Sequence, residues 1–236
     1  MRTRRPRRGG RLTTAALLLP LLAMPAALAH GIGGKDAAFV AAANGPELFA
    51  FAYLGAKHMV TGVDHLLFLA GIIFFLYRLK HVALYVTLFS LGHSATLLAG
   101  VLLNLSVNAY FVDALIGLSI VYKAFDNLDG FHTLFGLRPD PRIAIPLFGL
   151  AHGFGLATKL LALAPPPEAL AVNLVAFNVG VEIGQLLALS LLFALIAAWR
   201  RTTSFARLAI PINAALLAAG ILITELQVHG MIANGG

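Results

Sequence analysis

Apolar residues come in six runs nearly free of charge, at residues 48–77, 82–104, 109–126, 143–163, 169–199 and 208–228. Crossing a bilayer takes about 20 apolar residues as a helix, and the six runs are of that order. The first and fifth are longer, which fits a tilted span or one that begins as an interfacial helix. Pro46, Pro139, Pro141, Pro165, Pro166 and Pro167 fall between the runs and punctuate the connections. No long polar stretch suggests a separate soluble domain. The pattern predicts an all-α integral membrane protein, a polytopic bundle of about six transmembrane helices at residues 46–236.

The first 29 residues read differently. An arginine-rich start leads into an apolar run over 12–28 that ends in Ala27-Leu28-Ala29. A basic head, an apolar middle and a small-x-small ending describe a cleaved secretory signal peptide. Residues 30–45 are then a short periplasmic N-terminal tail. Cleavage after Ala29 makes His30 the mature N-terminus, where an amine and an imidazole on one residue can chelate a metal. The plainer reading of His30 is the start of a flexible tail.

Composition supports a membrane solvent. Hydrophobic residues make up 59% and charged residues 11%, against roughly 45–50% and 25% in soluble domains. The formal charge of +7 comes mostly from Arg2, Arg4, Arg5, Arg7, Arg8 and Arg11. Without them the balance is +1, so the basic character gives no reason to expect a nucleic-acid partner. There are no cysteines, which excludes disulfides, thiolate metal sites and cysteine nucleophiles.

Basic residues orient the spans. Arg78, Lys80, Lys123, Arg138, Arg142, Arg200, Arg201 and Arg207 fall on one side. Only Lys35, Lys57 and Lys159 lie at or toward the other. The positive-inside rule then puts both mature termini outside a bacterial-type inner membrane. Signal-directed export of residue 30 and an even number of spans agree with that orientation.

Ionisable residues recur inside the runs, where Asp or Lys at a helix centre is penalised by roughly 2.5–3.5 kcal/mol. His58, Asp64 and His65 lie in the first run, His93 with Ser94 and Thr96 in the second, and His152 in the fourth. Asn178, Glu182 and Gln185 share one face of the fifth. On a regular helix His58 and His65 return to nearly the same face, about 10 Å apart along the axis. Asp64 points about a third of a turn away, so a regular helix cannot easily put all three on one ion. Gly62 could loosen the turn between them; otherwise His58 sits nearer the outer mouth. Neutral imidazoles and carboxylates are ligands for nickel, zinc, cobalt, iron or manganese. His58, Asp64, His65, His93, His152 and Glu182 are the candidate metal residues, with carboxylates as ligands or as supports for them. His30, Ser94, Asn178 and Gln185 are candidates for the outer mouth or for supporting positions. A lone membrane histidine is readily explained by an interhelical hydrogen bond; four histidines and two carboxylates on separate spans are not. Gly149-x3-Gly153 and Gly180-x3-Gly184 are patterns that let helices approach closely, and each encloses one of these polar residues.

The segment His58-Met59-Val60-Thr61-Gly62-Val63-Asp64-His65 has the form His-x5-Asp-His. It resembles the signature of the HupE/UreJ family, small membrane proteins proposed to import nickel for hydrogenase or urease. Gly62 to Leu69, Gly92-His93-Ser94-Ala95-Thr96-Leu97, Phe148 to Gly155 and Asn178 to Gln185 are similar to segments of the second branch of that family. The likeness covers roughly residues 48–200. The nickel branch carries an acidic residue just after its Ala-His-Gly, where this chain has Phe154 and Gly155. The resemblance implies a divalent transition metal as cargo, with nickel suggested by the family alone; oligomers or metalloenzyme-maturation partners stay unnamed.

Three functions fit these residues. The first is a metal-ion permease, with the ion bound at Asp64, His65, His93 and His152 and with Glu182 balancing charge or carrying a proton. There is no Gly-x4-Gly-Lys-Ser/Thr pattern for ATP-driven pumping by this chain. The second is an intramembrane metal-dependent enzyme of zinc-hydrolase type. The third is a metal-free structural or assembly subunit. We read the chain as a transporter rather than an enzyme, and assign no catalytic residue.

Overall fold

A computed structural model describes residues 34–234 apart from 164 and 166. Residues 1–29, expected to be a signal peptide, and His30 lie outside the described residues. The chain is all-helical there: α1 (Gly34–Ala42), α2 (Leu48–Thr61), α3 (Val63–Ile73), α4 (Leu79–Leu102), α5 (Ala109–Asn127), α6 (Gly130–Phe135), α7 (Pro141–Leu161), α8 (Leu170–Trp199) and α9 (Thr203–Ala233). By length and composition α4, α7, α8 and α9 can each cross a membrane, and α2 with α3 makes a fifth span if the bent pair is one crossing. The expected sixth, α5, has 19 residues and packs inside the bundle against α9, α7 and α3. It carries Asp113, Lys123 and Asp126, which lower its apolar character.

The first run is not one helix. It breaks at Gly62, whose ψ of 100° is extended, and α2 and α3 meet at a bend of 62°. Both flanks of the break keep backbone bonds: Gly62 N–H donates to the His58 carbonyl at 2.8 Å, and Leu66 N–H to that of Gly62 at 2.9 Å. At the far end of α3, the Arg200 guanidinium donates to the carbonyls of Ile73, Phe74 (2.7 Å) and Leu76 (2.8 Å) and lies over the Tyr77 ring. A helix end leaves its last carbonyls short of intrahelical donors; Arg200 supplies donors there, and Ile73 O also accepts from Leu76 N–H at 3.1 Å. The half-helix thus has an acidic residue in its first turn and a cation at its end, both matched to its dipole.

Glycines set the closest helix contacts. A Cβ on Gly180 or Gly184 would strike the carbonyl of Ala52 or Ala56, and one on Gly55 that of Phe177, so α2 and α8 touch backbone to backbone. The same holds for α4 and α7, where Gly92, Gly149 and Gly153 face the carbonyls of Pro146, Phe89 and His93. Lipid tails are as apolar as leucine, so membrane helices associate by such close van der Waals fit rather than by hydrophobic burial. Asn side chains add polar ties. Asn173 accepts from Glu47 N–H (2.7 Å) and donates to Gly45 O (2.9 Å). Asn127 donates to Gly71 O (2.9 Å) and Asn213 Oδ1 (2.8 Å), joining α3, α5 and α9.

Candidate metal centre

Four helices each bring one histidine to the middle of the bundle: His58 from α2, His65 from α3, His93 from α4 and His152 from α7. Their exposures are 9%, 1%, 0% and 1%, so the set is shielded from outside. The bend at Gly62 overrides the regular-helix spacing. The His58 and His65 rings stand 5.1 Å apart, centroid to centroid, rather than two turns away along one axis. His65 is the hub, 5.7 Å from His93 and 4.7 Å from His152. His58, His65 and His93 each offer a ring nitrogen within 4.8 Å of the others. Two imidazole nitrogens on a tetrahedral ion are about 3.4 Å apart, from metal–nitrogen bonds near 2.0–2.1 Å. Small ring rotations would close the difference.

Tautomers follow from the partners. Asp64 Oδ1 lies 2.8 Å from Nδ1 of His65. An ionised carboxylate only accepts, so Nδ1 bears the proton and Nε2 the lone pair. This carboxylate–histidine arrangement is the usual support of a metal-binding imidazole. Asp64 sits in the first turn of α3, where the helix dipole favours negative charge. The break at Gly62 therefore does two things: it turns His58 toward His65, and it creates a helix N-terminus at membrane depth that suits Asp64. His93 is fully buried, and neither of its ring nitrogens has a hydrogen-bond partner among the described residues. A buried polar group left so is destabilising by about 1–3 kcal/mol, and a cation between the rings would remove that penalty.

The remaining expected residues lie elsewhere. Glu182 is exposed on α8 and accepts a hydrogen bond from Ser90 of α4; it is not in the three-histidine group. Gln185 is buried and donates to the Val86 carbonyl at 3.1 Å. Asn178 donates to its own helix at Leu174 O, and its Oδ1 has no hydrogen-bond partner among the described residues. Ser94 is half-buried on α4. Glu182 and Gln185 thus lie on a seam between α4 and α8. Sequence reasoning passed over Ser119, a fully buried residue of α5 whose Oγ is 3.1 Å from Nε2 of His152. Asp113 and Lys159 form a 2.8 Å ion pair between α5 and α7 that spacing along the chain does not announce.

No curated protein and no solved structure matches this chain. A family profile does, over residues 34–232, which includes every residue of the histidine group and the bend at Gly62. The chain belongs to the family described as HupE / UreJ protein.

Proposed function

We propose that this chain is a permease for a divalent transition-metal ion, with nickel or cobalt as first candidates. The observation that carries this reading is the convergence of histidines from separate helices at mid-bundle, one of them oriented by a carboxylate. The family is associated with nickel and cobalt transport, and neutral imidazoles suit those ions as well as zinc. The ion is cargo, so the site must bind it and release it.

The packing supports a moving element. His58 rides on the glycine-locked pair α2/α8, and His93 and His152 ride on the pair α4/α7. Between the pairs, α8 meets α4 through polar links, Ser90 with Glu182 and Gln185 with Val86. Rocking one pair against the other would separate His58 from His93 and open the site. With the basic ends inside, in the inner membrane, the membrane potential drives a cation inward at about 2.3 kcal/mol per charge per 100 mV.

The test is metal content of purified protein together with uptake by cells, comparing wild type with His65→Ala and His152→Ala. The expected result is bound metal and uptake in wild type and loss of both in the variants. Unchanged content and uptake in both variants would overturn the proposal.

A further inference from the structure

Ser119 lies at the centre of α5, with no exposed surface. Its Oγ is 2.6 Å from the Ile116 carbonyl and 3.1 Å from Nε2 of His152. A hydroxyl has one proton. A carbonyl has none to give, and two oxygens at 2.6 Å need a hydrogen between them. The Ser119 proton is therefore spent on Ile116, and toward His152 the hydroxyl is an acceptor. The Nε2 of His152 must then be the donor, and in the neutral ring the lone pair is on Nδ1.

The contact is held in register. Lys159 Nζ donates to Asp113 Oδ1 at 2.8 Å, on the same α5/α7 interface. Asp113 precedes Ser119 by six residues and Lys159 follows His152 by seven, about 9 and 10.5 Å along two antiparallel helices at 1.5 Å per residue. The ion pair and the Ser119–His152 contact are thus two rungs of one interface.

We propose that Ser119 is a positioning residue of the metal site. It accepts the Nε2 proton of His152, and so puts the lone pair on Nδ1 of a ring 4.7 Å from His65 but outside the three-histidine group, from where it can serve as a further ligand, while His65 presents Nε2. The two neighbouring rings then use opposite nitrogens, one set by a carboxylate and the other by a hydroxyl. This rests on the permease reading for its use, but the tautomer itself does not.

Two measurements test it on the full chain. The first is nitrogen NMR of histidine-labelled, metal-free protein, with the His152 signals assigned by their loss in His152→Ala. Wild type should show the Nε2–H ring, and Ser119→Ala should lose that preference; an Nδ1–H ring in wild type overturns the proposal. The second is titration with nickel or cobalt. Ser119→Ala should weaken binding 10–100-fold, the usual effect of removing such a support, and Ser119→Thr should restore it to within a few-fold. Wild-type affinity in Ser119→Ala, or no recovery in Ser119→Thr, would overturn it. If wild type binds neither metal, the permease reading fails, and the NMR result still decides the role of Ser119.

Discussion

Asp64 Oδ1 stands 2.8 Å from Nδ1 of His65, and both residues belong to the first turn of a half-helix that starts inside the bundle. The carboxylate fixes which nitrogen of the hub imidazole faces the other rings. Asp64→Asn keeps an oxygen acceptor but loses the charge, and Asp64→Ala loses both. We expect metal affinity to fall about tenfold in the first and about 100-fold in the second, the range seen when a support of a metal-binding histidine is removed. Competition titration with a coloured chelator reads this directly. Equal affinity in all three proteins would mean that Asp64 does not orient His65.

His93 separates stability from binding. Its ring is fully buried and has no hydrogen-bond partner among the described residues. A leucine at that position has similar bulk and no polar atoms. His93→Leu should leave metal-free protein as stable as wild type or more stable by about 1–2 kcal/mol, while abolishing the stabilisation by added metal. For wild type, metal at 100 times its dissociation constant should add about 2.7 kcal/mol. Thermal unfolding in detergent with and without metal gives both numbers. A strongly destabilised metal-free variant would show that His93 is a structural group.

The seam between α4 and α8 offers a test of movement. Ser90 and Glu182 are hydrogen-bond partners across it, and the chain has no cysteine of its own. A Ser90→Cys/Glu182→Cys double variant can therefore be bridged by a short, reducible bis-methanethiosulfonate without side reactions at other thiols. Bridged protein in vesicles should bind metal but transport it at less than a tenth of the unbridged rate, with recovery on reduction. Full transport by bridged protein would exclude relative motion of the two helix pairs.

The sequence alone determined the solvent and the element type. A chain this apolar must satisfy its backbone internally, and for spans of this length that means helices. It also marked which residues are anomalous at depth, because histidines and carboxylates inside apolar runs need a reason to be there. His58, Asp64, His65, His93 and His152 were all legible on that ground. The two small-x3-small patterns were legible as close-approach sites, and Gly149, Gly153, Gly180 and Gly184 do face backbone.

Other features needed the tertiary structure. A regular helix keeps His58 and His65 about 10 Å apart; Gly62 marks in the sequence where the turn could loosen, but only the structure shows the 62° bend there that makes them neighbours. The spacing puts Glu182 in a row with Asn178 and Gln185, but it does not show that Glu182 is exposed while the other two are buried. In a membrane the lipid-facing and inward faces are both apolar, so the pattern along α8 does not reveal which side faces in. Ser119 gave no signal, because a hydroxyl bonded to its own helix is unremarkable in a sequence. Its meaning comes from His152 of another helix lying 3.1 Å away, and that distance was decided by packing alone.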